Sequence, residues 1–492
     1  MNKNYFPYTQ SFSLLTDLYQ MTMAYGYWKT NIHETEAVFH LFFRKNPFQG
    51  GFVIACGLET VINFLSEFKL DNTDVEYLAT LKGNDNKPIF EKGFLDYLTK
   101  MKFDCDVDAI AEGTVVFPHE PLLRIKGPLI QCQILETILL NIINFQSLIA
   151  TKAARVCFAA QGDEVLEFGL RRAQGIDGAL AASRAAYIGG CGATSNVLAG
   201  KIFGIPVKGT HAHSWVMSFD DELESFQEYA KAMPNNCVFL VDTYDTLEGV
   251  KKAVEVGNWL RKNGHEMIGI RLDSGDLAYL SIEARNILDQ GGFPNAKIVA
   301  SNELDENIIE SLKDQGAKIT VWGVGTKLVT AYDQPALGGV YKLAAIKNKD
   351  GKWSYKVKLS EQNIKVSNPG IQQVRRFFND KEIIADVIFD EGTDLSHGCT
   401  MVDPKDMTRQ KTIRSDANYE DLLVTIFQKG KKVYQNPKID DIRTYAKNNL
   451  AKFHLGIKRF VNPHEFPVGL EKSLFKLKMD LILKDRGATP IG

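Results

Sequence analysis

EVLEFG at 164–169, IPVKG at 205–209, CVFLVD at 237–242, MIGIRLD at 267–273, AKIVAS at 296–301 and AKITVWG at 317–323 are six short β-like runs in one stretch of chain. Most precede a segment with helical patterning. IDGALAASRAAYI (176–188), DELESFQEYAKAM (221–233), DTLEGVKKAVEVGNWLRKNG (245–264) and LDENIIESLKDQG (304–316) are the clearest. Strands that alternate with helices need crossover connections and therefore form a parallel sheet. This many units in succession predict an α/β barrel, or an irregular relative of one.

On the N-terminal side, residues 1–130 read as an α+β domain. Helices are expected over 14–28, with Thr16 or Asp17 near the start, and over 57–68. Between 104 and 127 the pattern turns short and β-like, broken by Gly113, Pro118, Pro121, Gly127 and Pro128. A long apolar helix is expected from 131 to 158, and the barrel with the site from 131 to 346. After Ile346 the rhythm stops. KNKDGKWSYKVKLS (347–360) predicts a hairpin around Asp350-Gly351, and 347–492 reads as a mixed C-terminal extension.

Bulk properties narrow the classes. A chain of 492 residues, 45% hydrophobic, has material for more than one core. A net charge of -2 with no block of like charge argues against a dedicated nucleic-acid or polybasic membrane surface. The seven cysteines, at 56, 105, 132, 157, 191, 237 and 399, form no CxxC pair, so a zinc knuckle is not expected. Scattered thiols fit a reducing cytoplasm. The N-terminal MNKNYFPYTQSFSLLTDLYQ lacks the pattern of a signal peptide. The greasiest stretch, 134–145, contains Glu136, Thr137, Asn141 and Asn144 and is too short and polar to span a bilayer.

Parallel α/β folds bind ligands beyond the C-terminal ends of their strands. Those ends carry Glu167, Phe168, Gly169 and Arg171, then Gly209, Thr210, His211 and His213. Asp242 and Asp245 follow, then Arg271, Asp273 and Asp276, then Ser301 and Asn302, and last Gly323 to Thr326. Gly323-Val324-Gly325-Thr326 follows a strand and precedes a helical segment. Its glycines allow backbone N–H groups to approach an anion, late in the barrel where phosphate sites lie. A tight turn is the alternative. RLDSGDL is read with Arg271 and Asp273 on opposite sides of a strand, so that only a turn brings both to one ligand. In the alternative, Asp273 or Ser274 caps a helix. In VDTYDTLEG, Asp245 is assigned to capping and Asp242 to the site. GTHAHSW offers two histidines without HExxH or an adjoining carboxylate cluster, so one nucleophilic or phosphate-handling histidine is preferred to a metal pair. YIGGCGATSNVLAG lies between two helical segments and lacks the strand that a dinucleotide fingerprint requires.

The motifs, taken together, resemble nicotinate phosphoribosyltransferases. The residues that carry the likeness are LLTDLYQMTMAYGYW (14–28), EFGLRRAQGIDGALAASRAAYIGG (167–190), SNVLAGKIFGIPVKGTHAHSWV (195–216), IGIRLDSGDL (268–277), VASNELDE (299–306) and GVGTKLVTAYDQPALGGVYKL (323–343). KVSNPGIQQVRR (365–376) and NPHEFPVGLEKSLFKLKMDL (462–481) extend it. The resemblance implies a type II phosphoribosyltransferase fold: an irregular α/β barrel with an α+β N-terminal domain and a C-terminal extension. It implies nicotinate and phosphoribosyl pyrophosphate as substrates, magnesium, and ATP hydrolysis through a phosphohistidine at His213. It also implies a homodimer with shared active sites, in which an N-terminal tyrosine reaches the partner's barrel.

By the same resemblance, Tyr19 and Phe168 sandwich the pyridine ring, Thr210 and Arg271 meet its carboxylate, and Arg171 lies near phosphate. Asp242 and Asp273 fall near ribose, pyrophosphate and magnesium. Gly323, Gly325 and Thr326 cradle the 5-phosphate, and Ser301 and Asn302 lie on the ribose side. VDTYDTLEG is only superficially similar to the acidic phosphoribosyl-binding loop of another transferase class. Two competing readings remain: the relative that uses nicotinamide, and an inactive nucleotide-binding regulator on the same scaffold. Amide-using relatives place an aspartate where this chain has Ser195-Asn196. A regulator would have lost His213, Arg271 or Asp273, and all three are present.

Overall fold

The structure is a computed structural model describing residues 11–362, 365–380 and 382–487. The signal-peptide reading rests largely on residues 1–10, outside the described part. The chain divides into two compact units. One comprises residues 1–147, 336–438 and 448–492; the other comprises 148–335 and 439–447.

The second unit holds the barrel. Its strands are Glu164–Glu167, Ala193–Thr194, Val238–Leu240, Gly269–Leu272, Lys297–Ala300 and Val321–Val324, all paired in parallel. The lateral order runs from Ala193–Thr194 through Glu164–Glu167, Val321–Val324, Lys297–Ala300 and Gly269–Leu272 to Val238–Leu240. That order leaves the 193–194 and 238–240 strands as edges, and residues 205–211 fill the gap. Val207 bridges Thr194 in parallel, and the Leu240 N–H donates to His211 Nε2 at 3.2 Å. The ring thus closes in chain order, through one bridge and one side-chain bond.

This irregular stave corrects one expectation. IPVKG forms no ladder, because Pro206 has no N–H to give one. A strand missed in the sequence, Ala193–Thr194, is two residues long and too short to show alternation. The glycine-rich segment around it does follow helix Ile176–Ile188, as read.

The strands read as nearly continuous apolar runs, as strands of a parallel sheet covered on both faces do. Val165, Ile270, Ile298, Val321 and Trp322 are all buried. Helix Thr246–Lys262 shows how the outer layer is specified. Asp245 caps it by accepting from the Glu248 N–H, as assigned, and Val250, Ala253, Val256 and Leu260 form its buried face. Its C-terminal turn carries Arg261 and Lys262, which favour that end of the helix dipole.

The first unit contains a two-stranded sheet, Val53–Ile54 with Val115–Val116, and two larger, mostly antiparallel ones. In one, Glu36–Phe43 lies between Gly339–Lys347 and Leu123–Pro128, and Leu423–Gln428 pairs with Asp106–Ile110. The expected hairpin is present: Gly339–Lys347 pairs with Trp353–Tyr355 around the turn. The helix expected over 131–158 is interrupted at Leu135, giving Leu129–Ile134 and Glu136–Ala159. The stretch after 347 does not fold as an appended body. Besides the Leu423–Gln428 pairing, Arg376 is fully buried, donates to Asp386 Oδ1 at 2.9 Å and also donates to the Val115 carbonyl at 2.8 Å. Residues 439–447 belong to the barrel unit, where Arg443 donates to the carbonyls of Gly190 and Cys191. No described helix is long and apolar enough to cross a membrane.

Candidate active site

A cleft of about 370 Å³ opens at the C-terminal ends of the barrel strands. Phe168, Arg171, Thr210, Arg271, Asp273, Ser301, Asn302, Gly323, Gly325 and Thr326 all line it. Ten predicted residues from five separate loops therefore converge. Leu170, Arg172, Ser195, Gly209, His211, Ala212, Glu303 and Leu304 complete the lining. Three guanidinium groups face two carboxylates there, so the cleft suits anionic ligands.

Arg271 comes from the last turn of strand Gly269–Leu272. One terminal nitrogen donates to Thr210 Oγ1 and, at 3.4 Å, to the His211 carbonyl. Its Nε is buried with no partner among the described residues. Burial holds the guanidinium below its usual range, against the pull of Asp273 and Asp242. A half-buried guanidinium with a buried, unused donor is costly unless an anion completes it.

The opposite-side reading of Arg271 and Asp273 is corrected. Residues two apart in a strand share a face, and the strand in any case ends at Leu272. Both side chains reach the cleft. The following helix, Leu277–Gln290, is capped by Asp276, which accepts from the N–H groups of Ala278 and Tyr279. Asp273 and Ser274 are thus not its cap. Asp273 accepts from Ser301 through Oδ1, and its Oδ2 lies 3.7 Å from His213 Nε2.

His213 begins the short helix His213–Val216 and lies at the margin of the cleft rather than in its lining. Its Nδ1 is 3.1 Å from Thr243 Oγ1. With Nδ1 donating to Thr243, Nε2 is left with its lone pair toward the Asp273 side. Asp242 also stands behind the lining. Its Oδ2 accepts from the Asp273 N–H at 2.9 Å and from Ser274 Oγ at 2.5 Å, while Oδ1 is buried with no partner among the described residues. Asp242 therefore fixes the loop that carries Asp273.

His211 has a structural place. It accepts from Leu240 through Nε2, and burial, opposed by a bond to the Ala212 carbonyl, lowers its pKa to about 4. The unfolded chain binds that proton near pH 6.5, so the neutral folded form contributes stability fully above that pH. The contribution is lost as pH falls from about 6.5 to about 4, and is worth at most roughly 3 kcal/mol. His211→Gln retains an acceptor and should show a shallower loss of stability across that window in urea titrations. Equal slopes for both proteins would contradict the lowered titration of His211.

The late-barrel glycines serve packing as well as access. A Cβ on Gly323 would lie 2.7 Å from the Phe168 ring, so only glycine lets that ring occupy its position. Gly325 precedes a four-residue helical turn, Thr326–Val329. Asn302 sits at φ 88°, a left-handed conformation that asparagine tolerates better than most residues. Lys327 donates to Asp305 at 2.7 Å and so joins the loop after Gly325 to the loop after Asn302.

Ser195 faces the cleft, whereas Asn196 is buried and caps helix Val197–Phe203. No carboxylate stands at this position. Tyr19 lies in the other unit, on helix Leu18–Lys29, and is 49% exposed. Arg172, Glu303, Leu304 and Thr243 were not singled out from the sequence, and Ser274 was considered only as a helix cap. Arg172 could have been found beside Arg171, and Thr243 beside Asp242. Nothing local marked the others.

Asp242 and Asp273 fit a magnesium ion. Magnesium needs only one or two protein carboxylates when substrate phosphates and water supply the rest. Asp242 Oδ1 is a buried acceptor with no partner among the described residues, as a cation ligand would be. Among the described residues no group of three or more His, Cys, Asp or Glu gathers as a metal cage.

Residues 14–144 match the nicotinate phosphoribosyltransferase N-terminal domain, 164–381 the nicotinate phosphoribosyltransferase family, and 371–478 the nicotinate phosphoribosyltransferase C-terminal domain. The chain is 46% identical over 480 residues to a nicotinate phosphoribosyltransferase of Bacillus subtilis, covering 96% of this chain and 95% of that one. It is 40% identical to one of Dictyostelium discoideum, covering 94% and 87%. Human nicotinic acid phosphoribosyltransferase has a similar crystal structure, with a TM-score of 0.81 and 31% identity over 95% of this chain and 99% of that chain. With all its motifs in order and their strand-end residues gathered in one cleft, the chain belongs to the nicotinate phosphoribosyltransferase family.

Proposed function

We propose that this protein joins nicotinate to the ribose 5-phosphate of phosphoribosyl pyrophosphate, forming nicotinate mononucleotide and pyrophosphate in NAD biosynthesis. One observation carries the choice of substrate: Arg271 is half-buried in the cleft beside Thr210, and its buried Nε has no partner among the described residues. A carboxylate accepts from such a fork through charge-assisted bonds, whereas an amide brings donors of its own. Ser195 offers a hydroxyl where amide-using relatives place an aspartate.

In this reading Phe168 stacks on one face of the pyridine ring and Tyr19 on the other. The ring nitrogen attacks the anomeric carbon as pyrophosphate departs. Asp273 stabilises the cation-like sugar, and Asp242 holds Asp273 in place. Ser301 and Asn302 face the ribose. Gly323, Gly325 and Thr326 approach the 5-phosphate, with Arg171 near phosphate. Asp242 and Asp273 would hold magnesium, which supplies charge neutralisation for the pyrophosphate.

ATP enters as a co-substrate: its γ-phosphoryl group passes to the free ring nitrogen of His213 with release of ADP, and water later removes it as phosphate. The active unit is a homodimer in which Tyr19 completes the site of the partner subunit. A cytoplasmic protein without nucleic-acid or membrane partners fits this role. Incubation with nicotinate and phosphoribosyl pyrophosphate should yield nicotinate mononucleotide, and omission of either should abolish it. Failure of the folded protein to form product with ATP and magnesium present would sink the reading.

A further inference from the structure

Glu167 ends strand Glu164–Glu167 and is completely buried. No cation faces its carboxylate among the described residues. Donors surround it instead. The Gly169 N–H donates to Oε1, Ser183 Oγ donates to Oε2 at 2.9 Å, and Thr194 Oγ1 donates to Oε2 at 2.5 Å. Its backbone carbonyl accepts from the Ser195 N–H at 2.9 Å. The neighbours of this carboxylate are therefore also the neighbours of the cleft. Phe168 lies between Glu167 and Gly169, and Ser195 follows Thr194.

The network continues on the other side. Asn196 donates to Thr194 Oγ1 through its N–H at 3.0 Å and to Ser183 Oγ through Nδ2 at 3.2 Å. Both hydroxyls thus accept from Asn196 and have Glu167 as their nearer acceptor, at 2.9 Å for Ser183 and 2.5 Å for Thr194. The Phe168 N–H is fixed to the Val324 carbonyl at 2.8 Å, so the ring cannot slide along the strand.

We propose that Glu167 is a positioning residue that sets the spacing between Phe168 and Ser195, and thereby the width of the subsite for the pyridine ring. The inference rests on the reading of the cleft as a nicotinate site. Glu167 touches no substrate; it acts through the turn at Gly169 and the strand end at Thr194. An acceptor-only carboxylate is required because all three groups around it donate. Glutamine keeps the shape but presents an NH₂ to one side. Ser183 has the Ala179 carbonyl as a second acceptor at 3.0 Å, whereas Thr194 is left with only the longer, weaker bond to Ser183 Oγ at 3.4 Å.

The test measures both substrate KM values for Glu167→Gln, Thr194→Val and Thr194→Ser, with folding checked by thermal melting. Loss of one buried hydrogen bond that holds the pocket wall should raise the KM for nicotinate roughly tenfold in Glu167→Gln and Thr194→Val. The KM for phosphoribosyl pyrophosphate should rise only about two- to threefold, since Gly323, Gly325 and Thr326 lie at the end of another strand and only Arg171 shares the turn after Glu167. Thr194→Ser retains the hydroxyl and should restore the nicotinate KM. The double variant Glu167→Gln/Thr194→Val should be no worse than either single change. If Glu167→Gln fails to fold, the Thr194 pair decides. An unchanged nicotinate KM, equal rises in both KM values, or failure of Thr194→Ser to rescue would overturn the proposal. A wild-type protein that forms no product with nicotinate would instead refute the reading on which it rests.

Discussion

Arg271→Ala should lower kcat/KM for nicotinate by roughly 100-fold, the loss expected when a charge-assisted pair is cut and one buried charge is left alone. The change removes the guanidinium that Thr210 orients and that has an unused Nε in the cleft. The loss should fall mainly on KM if the carboxylate is gripped equally in the ground and transition states. Arg271→Lys should recover little, because an ammonium cannot span two carboxylate oxygens as the planar fork does. Slow turnover of nicotinamide should fall much less, since the amide never used the full pair. Steady-state kinetics with both pyridines, on protein shown to be folded, give the answer. Retention of nicotinate kcat/KM within about threefold in Arg271→Ala would place the carboxylate elsewhere.

His213→Ala should abolish ATP stimulation altogether while leaving slow, ATP-independent transfer. Thr243 holds Nδ1, and Nε2 faces the cleft side near Asp273, so one ring nitrogen is available as a nucleophile. Labelled ATP should leave an acid-labile label on the wild-type protein and none on His213→Ala. Full ATP-stimulated turnover by His213→Ala would remove the phosphohistidine from the account. The same variant tests the shared site. Mixed with Tyr19→Ala after verified subunit exchange, it should regain activity, because one of the two sites in each mixed dimer then carries neither change. Random mixing of equal amounts makes about a quarter of all sites intact. No recovery would mean that Tyr19 and His213 of one site belong to one chain.

The sequence displayed most of the barrel because its signals are local. Six strand-like runs and their helices were readable from hydrophobic patterning, and Asp245 declared itself a cap by its place before TLEG. Phe168, Arg271 and Ser301 were found because a parallel sheet dictates where strand ends point. What escaped depended on partners far away in the chain. IPVKG has the composition of a strand, but its only ladder contact is the Thr194–Val207 bridge, and His211 closes the ring with a side chain. No pattern in 347–492 announces that Leu423–Gln428 completes a sheet begun before residue 110. Asp242 was assigned to the site by type, and the structure gives its nearest task as holding the Asp273 loop. The roles of Glu167 and Thr194 lie in a network joining residues up to 27 positions apart, for which single-chain patterning has no signal.

The most direct measurement is pyrophosphate release from phosphoribosyl pyrophosphate with nicotinate and with nicotinamide side by side, with ATP and magnesium present. The carboxylate-reading site built on Arg271, Thr210 and Ser195 predicts kcat/KM for nicotinate higher by on the order of 100-fold, the discrimination expected when one pyridine satisfies a half-buried cation and the other leaves it unpaired. Equal values, or better use of the amide, would contradict the account.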